Sequence, residues 1–331
     1  MAGISHAENP PPWRNGASVD ANGRFTNIDG SVPSHGFLEF LKWRIIDAPK
    51  ARKAAKGEKP AQRIENDGEF LRSNTTKPTV TWIGHSTALI QIPGLNILTD
   101  PNFSLSLGMG RKRLVPLGLN LKDLPRIDVV LISHSHYDHL DKETIRKLSP
   151  SVHFLVPKGF KSWFASLGRD KCEELDWGQK TEISGVNFWF LPLNHWSRRG
   201  LTDMNKRLWG AWLIQAGEKK ILFAGDSGYF GGFSQIGSFF PGITIAILPI
   251  GAYEPRWIMK DNHMNPEEAI QAFQDLNAHI LVPIHWGTFK VSDEPMDEPP
   301  QKLLKAAEAL GISKDKIKIL KIGETLKVPS H

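Results

Sequence analysis

An apolar strand, Asp128–Ile132, runs directly into His134-Ser-His136-Tyr-Asp138-His139. Four metal-competent side chains in six residues behind a buried strand constrain this chain more than any other feature. Alternate residues of an extended segment share a face, so His134 and His136 can point the same way. Asp138 and His139, at the mouth of a helix starting near Asp141, can then turn toward a neighbouring position. Nitrogen and carboxylate donors with no thiolate suit zinc, with manganese or iron as the other candidates. A polar turn with chance histidines is the alternative, and the density of donors argues against it.

These four donors leave coordination positions to fill. His195 follows FWFLPLN, Asp226 follows ILFAG and His285 follows ILVPI, while His263 lies in the loop DNHMNP ahead of a helix. Ligands in open α/β sheets gather beyond the carboxyl ends of strands. A lone strand-end histidine is usually a packed residue; several downstream of one metal motif read together as a site. His6, His35, His153, His279 and His331 have no such setting and read as ordinary residues.

The surrounding pattern predicts one α/β domain over residues 78–331, its sheets covered by helices. TVTWIGHSTALIQI (Thr79–Ile92) reads as a strand pair interrupted at Gly84, and NILTDP (Asn96–Pro101) as a third strand ending at Asp-Pro. HFLVPK, VNFWFLPLNH, LWGAWLIQA, KKILFAGD, TIAILPIG and HILVPIHW follow as strands, and Ile317–Val328 as the last. Helical patterns cover Pro266–Ala278 and Pro300–Leu310. Residues 1–77 divide into an extended arm of about thirty residues, an apolar-faced helix (Phe37–Ile46) and a basic linker (Lys50–Asn74) expected to be exposed and loosely structured.

Composition narrows the function classes. No run of about twenty apolar residues offers a membrane span, and the N-terminus lacks an apolar secretory segment. Cys172 is the only cysteine, which excludes intramolecular disulfides and cysteine metal clusters. A cytoplasmic protein is the expectation. The net charge of +6 is explained by scattered lysines as well as by an anionic substrate, and no basic run points to nucleic acid. The apolar face of Phe37–Ile46 beside its basic successor has the make-up of an interfacial helix in peripheral contact with a membrane; docking on the core is the commoner fate.

HSHYDH resembles the HxHxDH signature of the metallo-β-lactamase superfamily. His195, AGDSG with Asp226 and PIHWG with His285 match its remaining ligand motifs in order. Within it, TVTWIGHST, ILTDPNFS, LPLNHWSRR, ILFAGDSGYF, GAYEPRWIM and HMNPEEAIQAF are most similar to the N-acylphosphatidylethanolamine-hydrolysing phospholipase D group, from about Phe37 onward. The resemblance implies a four-layered αββα sandwich with two zinc ions at one edge. One would be held by His134, His136 and His195, the other by Asp138, His139 and His285, with Asp226 bridging. A bridging carboxylate reduces repulsion between dications roughly 3.5–4 Å apart.

It further implies a hydrolase, a phosphodiesterase of phospholipase D type, whose metal-activated hydroxide attacks phosphorus while Asp138 orients it. The substrate would be a small-molecule or lipid phosphodiester. His263 is the candidate to protonate the leaving alkoxide or hydrogen-bond a phosphoryl oxygen. His85, Arg198 and Arg199 are candidate substrate contacts; the alternatives are a supporting or structural role behind the site for His85 and exposed, solvated side chains for the two arginines. A monomer or homodimer is expected. The rivals are a lactonase or other ester or amide hydrolase of the same fold, and a non-catalytic metal-binding protein. An RNA-processing nuclease would want a basic arm that the sequence lacks.

Overall fold

The computed structural model describes residues 12–32, 42, 43, 45, 57–107 and 111–328. Alternation along the first strands decides which face meets which layer. Thr79–Gly84 (β1), Thr87–Ile92 (β2) and Leu95–Thr99 (β3) form an antiparallel ribbon. Val80, Trp82, Ile90 and Ile97 face one way, into the main core, and Ile83, Leu89 and Leu98 face the other. After a two-stranded ribbon of Ser106–Leu107 (β4) and Arg111–Lys112 (β5), Val129–Leu131 (β6), His153–Pro157 (β7) and Cys172–Leu175 (β8) continue the first sheet in parallel.

The second sheet holds Lys180–Ile183 (β9), Val186–Leu191 (β10), Ala211–Ala216 (β11), Lys219–Phe223 (β12), Ile245–Pro249 (β13) and Ile280–Ile284 (β14). Thr325–Lys327 (β15) closes the first, giving the orders β15-β1-β2-β3-β6-β7-β8 and β14-β13-β12-β11-β10-β9. Facing residues such as Trp82 and Ile90 from one sheet and Phe188 and Ile214 from the other share one apolar cluster, with each fully buried side chain contributing about 1.5–3 kcal/mol.

Helices cover both outer faces. Glu69–Ser73 (α1), Lys142–Lys147 (α2) and Lys161–Ala165 (α3) lay Leu71, Ile145 and Phe164 on the first sheet. Gly232–Phe239 (α4), Pro266–Asp275 (α6) and Glu298–Ala309 (α7) lay Phe233, Ile236, Ile270, Phe273 and Leu303 on the second, and the short Arg256–Met259 (α5) packs Ile258 on Trp43. The layering is α, β, β, α, the metallo-β-lactamase arrangement. Helix α6 starts at a capping box, in which Asn265 accepts from the Glu268 amide and Glu268 from the Asn265 amide; such caps contribute about 1 kcal/mol.

Strand direction sets up the functional edge. In the first sheet β1, β3 and β6 run the same way, and in the second β10, β12, β13 and β14 do. Each of these strands but β13 is followed by a histidine or aspartate discussed below.

Two readings of the sequence need amending, and a third lies mostly outside the described residues. Of Ile317–Val328 only Thr325–Lys327 is a strand, because Gly323 turns the chain at φ 94° against Ile64 and Gly118. The described part of Lys50–Asn74 is no loose linker. Ala61 donates its amide to the Gly287 carbonyl, Arg63 bridges Ile322, and Ala61 and Leu71 are buried. The helix expected over Phe37–Ile46 lies outside the described residues except at 42, 43 and 45. Of these, Trp43 is buried on Ile258, its indole N–H donating to Asp293 (2.6 Å), while Ile45 is exposed.

Candidate metal centre

The end of β6 and the end of β12 approach so closely that only glycine fits between them. A Cβ on Gly225, whose φ is 67°, would lie 2.4 Å from Ser133 Cβ. That contact sets Asp226 beside the His134–His139 loop. His85 follows β1, Asp100 β3, His195 β10 and His285 β14 at the same edge.

The donors fall into two groups sharing one carboxylate. In the first, His134 Nε2 lies 2.8 Å from His136 Nδ1, which lies 3.2 Å from His195 Nε2. In the second, His139 Nε2 and His285 Nε2 each lie 3.6 Å from Asp138 Oδ2. Asp226 stands between: Oδ2 is 3.1 Å from His139 Nε2 and 3.9 Å from both His134 and His195, while Oδ1 is 3.1 Å from His285 Nε2. All seven residues proposed from the sequence as ligands therefore converge.

Burial makes the arrangement expensive without a cation. His139 Nε2 and His285 Nε2 each lie buried 3.1 Å from an Asp226 oxygen without making an aligned hydrogen bond to it, and buried polar groups left so cost about 1–3 kcal/mol each. Burial holds His134 and His195 well below the usual histidine range and His136 at about 4. Burial also opposes charge on His139 and His285, but the Asp226 carboxylate wins, raising His139 well above the ordinary value and His285 to about 9. Burial pushes Asp226 and Asp138 up, yet the histidines, His139 foremost, hold both well below the usual carboxylate range. Protons on two histidines thus balance the carboxylates, and divalent cations would replace those protons. An all-nitrogen-and-oxygen donor set, with the remaining ring nitrogens anchored, fits that role. His195 Nδ1–H donates to the Asn262 carbonyl (2.9 Å) and His139 Nδ1–H to Asp100 (2.7 Å).

The loop carrying the motif is held by side chains. Arg199 Nη1 donates to the carbonyls of Leu140 (2.7 Å) and Ser135 (3.0 Å), with its guanidinium 4.3 Å over the Tyr137 ring. Asn102 Nδ2 donates to the carbonyls of Tyr137 and Asp138. Half-buried Arg113 in turn donates to the Asn102 carbonyl at 2.7 Å. Arg199, considered a substrate contact, is thus turned to the loop, and Arg198 to the carbonyls of Gly200 and Leu201. His85 is buried against the second group. Its Nε2 bonds Asp138 Oδ2 (2.9 Å), its ring lies 4.0 Å from that of His285, and burial lowers its pKa to about 3. His263 reaches the cluster between the groups, Nδ1 3.8 Å from Asp226 Oδ2 and without a partner, and burial lowers it to about 4.

Asp100 was missed in the sequence. Fully buried, it accepts from the Ser133 amide and hydroxyl as well as from His139. Its signal, a carboxylate ending an apolar strand in NILTDP, is the one that revealed Asp226. His85, Asp100 and His285 all have positive φ, at 54°, 32° and 65°, conformations costing of order 1–3 kcal/mol that cluster at functional sites.

A helix-flanked double sheet with two imidazole–carboxylate groups sharing an aspartate at one edge defines a metal-binding protein of the metallo-β-lactamase fold. Residues 95–286 match the family described as the beta-lactamase superfamily domain, and the chain belongs to that family. It is 33% identical over 327 residues to N-acyl-phosphatidylethanolamine-hydrolyzing phospholipase D 1 of Caenorhabditis elegans, covering 92% of this chain and 90% of that protein. Among solved structures, Igni18, a metallo hydrolase from Ignicoccus hospitalis, aligns with a TM-score of 0.60 and 22% identity over 77% of this chain and all of that one. CmlA, a diiron β-hydroxylase from Streptomyces venezuelae, aligns with a TM-score of 0.59 and 21% identity over 77% of this chain and 55% of that one.

Proposed function

We propose that this metal-dependent hydrolase is a phosphodiesterase of phospholipase D type, cleaving N-acylphosphatidylethanolamine-like lipids with two divalent cations, zinc by the chemistry of its donors. The observation that carries the two-cation reading is Asp226, whose Oδ2 lies 3.9 Å from His134 and His195 of one group while its two oxygens lie 3.1 Å from His139 and His285 of the other. The substrate reading is supported by the similarity to the nematode phospholipase along nearly the whole chain. Residues 78–331 are the catalytic domain in this reading, and residues 12–32 and 57–77 brace it.

His134, His136 and His195 would hold one cation and Asp138, His139 and His285 the other, with Asp226 shared. The pair would activate water and neutralise charge on the phosphoryl oxygens. Asp138 would fix the direction of attack from its place between His85 and His285. His263, held neutral by burial, would donate an N–H hydrogen bond to a phosphoryl oxygen, the second of the two roles considered for it. His85 would steady Asp138 rather than touch substrate.

Turnover of vesicles containing N-acylphosphatidylethanolamine, compared with bis-nitrophenyl phosphate and a lactone panel, tests this reading. The expected result is release of N-acylethanolamine that chelation abolishes and zinc restores. Lactone turnover without phosphodiester turnover would assign the site to the rival reaction.

A further inference from the structure

The described part of the N-terminal arm, residues 12–32, ends its course directly behind a candidate metal ligand. Trp13 anchors it, buried and packed edge-on to Phe239 with ring centroids 5.4 Å apart. The Ala17 amide donates to Asp176 (2.8 Å) and the Phe25 amide to the Asn205 carbonyl (2.8 Å). The chain then turns at Asn27, whose amide donates to Ser31 O and whose carbonyl accepts from Gly30 N. This turn drives the Asn27 side chain inward, where it is 3% exposed. Its Oδ1 accepts the backbone N–H of His195 (3.0 Å) and the indole N–H of Trp209 (3.2 Å), and its Nδ2 donates to Ser31 Oγ.

We infer that Asn27 is a positioning residue for His195, making the N-terminal arm part of the metal centre; this rests on His195 being a ligand, as proposed above. His195 sits just past the end of β10, where no sheet partner takes its amide. Its ring is fixed at Nδ1 by the Asn262 carbonyl, and its backbone by Asn27. Those two bonds, one on the ring and one on the backbone, hold Nε2 toward His136 and Asp226. A buried amide N–H needs an acceptor, and here that acceptor comes from a residue 168 positions away. Trp209, sharing the Oδ1 and also donating to the Leu193 carbonyl (2.9 Å), ties both flanks of the His195 loop to the same atom.

The test uses the full chain, stripped of metal and titrated with Zn2+ and with Co2+ as spectroscopic probe. Asn27→Leu is expected to weaken one of two binding steps by about tenfold, the lower end of what loss of an outer-shell partner does to metal affinity. It should also alter the Co2+ d–d spectrum and speed amide exchange in the peptide containing His195. Asn27→Asp, which keeps the acceptor oxygen, should restore all three, and Asp29→Ala in the exposed turn should leave them unchanged. Should Asn27→Leu not fold, Asn27→Ala provides the same readouts. A folded variant without the acceptor that keeps both affinities and the spectrum overturns the inference. His195→Ala separates the two claims: if it retains both metals at wild-type affinity, the ligand reading falls and the inference with it.

Discussion

The two ends of the sandwich are built to opposite rules. At the end away from the donors, hairpin and loop turns surround a cavity of about 630 Å3 that includes Ile92, Pro93, Val186, Gly217 and Thr244. Its turns bend at Gly94, Gly185, Gly217 and Gly242, each with positive φ and nothing within 4 Å of an added Cβ. At the donor end positive φ falls on His85, Asp100, Ala252 and His285, and the glycines have no room. Gly225 presses on Ser133, and Gly251 lies so close that its Cβ would fall 2.1 Å from the His285 carbonyl. The roomy end bends mostly on unhindered glycines, with Ser184 (φ 51°) an exception, and Glu218, Lys219 and His279 also line it; the crowded end bends on the site's own side chains and holds unpartnered polar atoms. Chemistry in this fold is marked by strain and unsatisfied polar atoms, and the size of a cavity is no guide to it.

Substitutions at the two ends should therefore behave unequally. Asp226→Asn should have the largest effect, dropping bound metal below two per chain and hydrolysis to background. His279→Ala, at the cavity end, should leave both within about twofold, the scale of an ordinary peripheral substitution. Equal losses in metal analysis and turnover would break the comparison.

Glycine offers a second contrast. Gly225→Ala sets a methyl group against Ser133 in a left-handed backbone and should cost about 3 kcal/mol or more, with loss of metal. Gly217→Ala meets only the backbone term, about 1–2 kcal/mol. Urea unfolding of the two variants measures the difference, and similar midpoints would show the crowding at Gly225 to be unimportant.

A smaller effect separates the metal-free from the metal-loaded protein. His285 titrates at about 9 in the metal-free fold against 6.5 in the unfolded chain, and His139 is raised as well. A raised folded pKa gives stability that is fully present below pH 6.5 and lost as pH climbs through 9. Chelated protein should lose melting temperature across that window, whereas loaded protein, with no proton there to lose, should not. Parallel curves would mean that these histidines do not carry the charge balancing Asp226.

What could be read from the sequence follows the same division. The strand-end donors stand out because an apolar strand closing on histidine or aspartate is a local pattern, and six residues of the motif supply the direction of the rest. Asp100 shows that pattern too, but its following proline makes it look like a strand stop. Arg199 lies three residues past Trp196 in a loop whose sequence does not reveal that its guanidinium turns back onto carbonyls 135 and 140. The arm at 12–32 and the segment at 57–74 read as loose because their anchors, Trp13, Asn27, Ala61 and Leu71, are single residues with no periodicity. Their partners lie far off in the chain, and spacing carries no trace of them. The short edge strands β8 and β9, CEEL and KTEI, escaped for a different reason: they are too polar to resemble buried strands.

The central claim is a pair of cations held by five histidines and two aspartates at one edge of the sandwich. Anomalous diffraction from crystals of the zinc-reconstituted protein tests it most directly. Two peaks about 3.5–4 Å apart, one among His134, His136 and His195 and the other among Asp138, His139 and His285 with Asp226 between, are the predicted result. A single peak, or none within reach of Asp226, would contradict it.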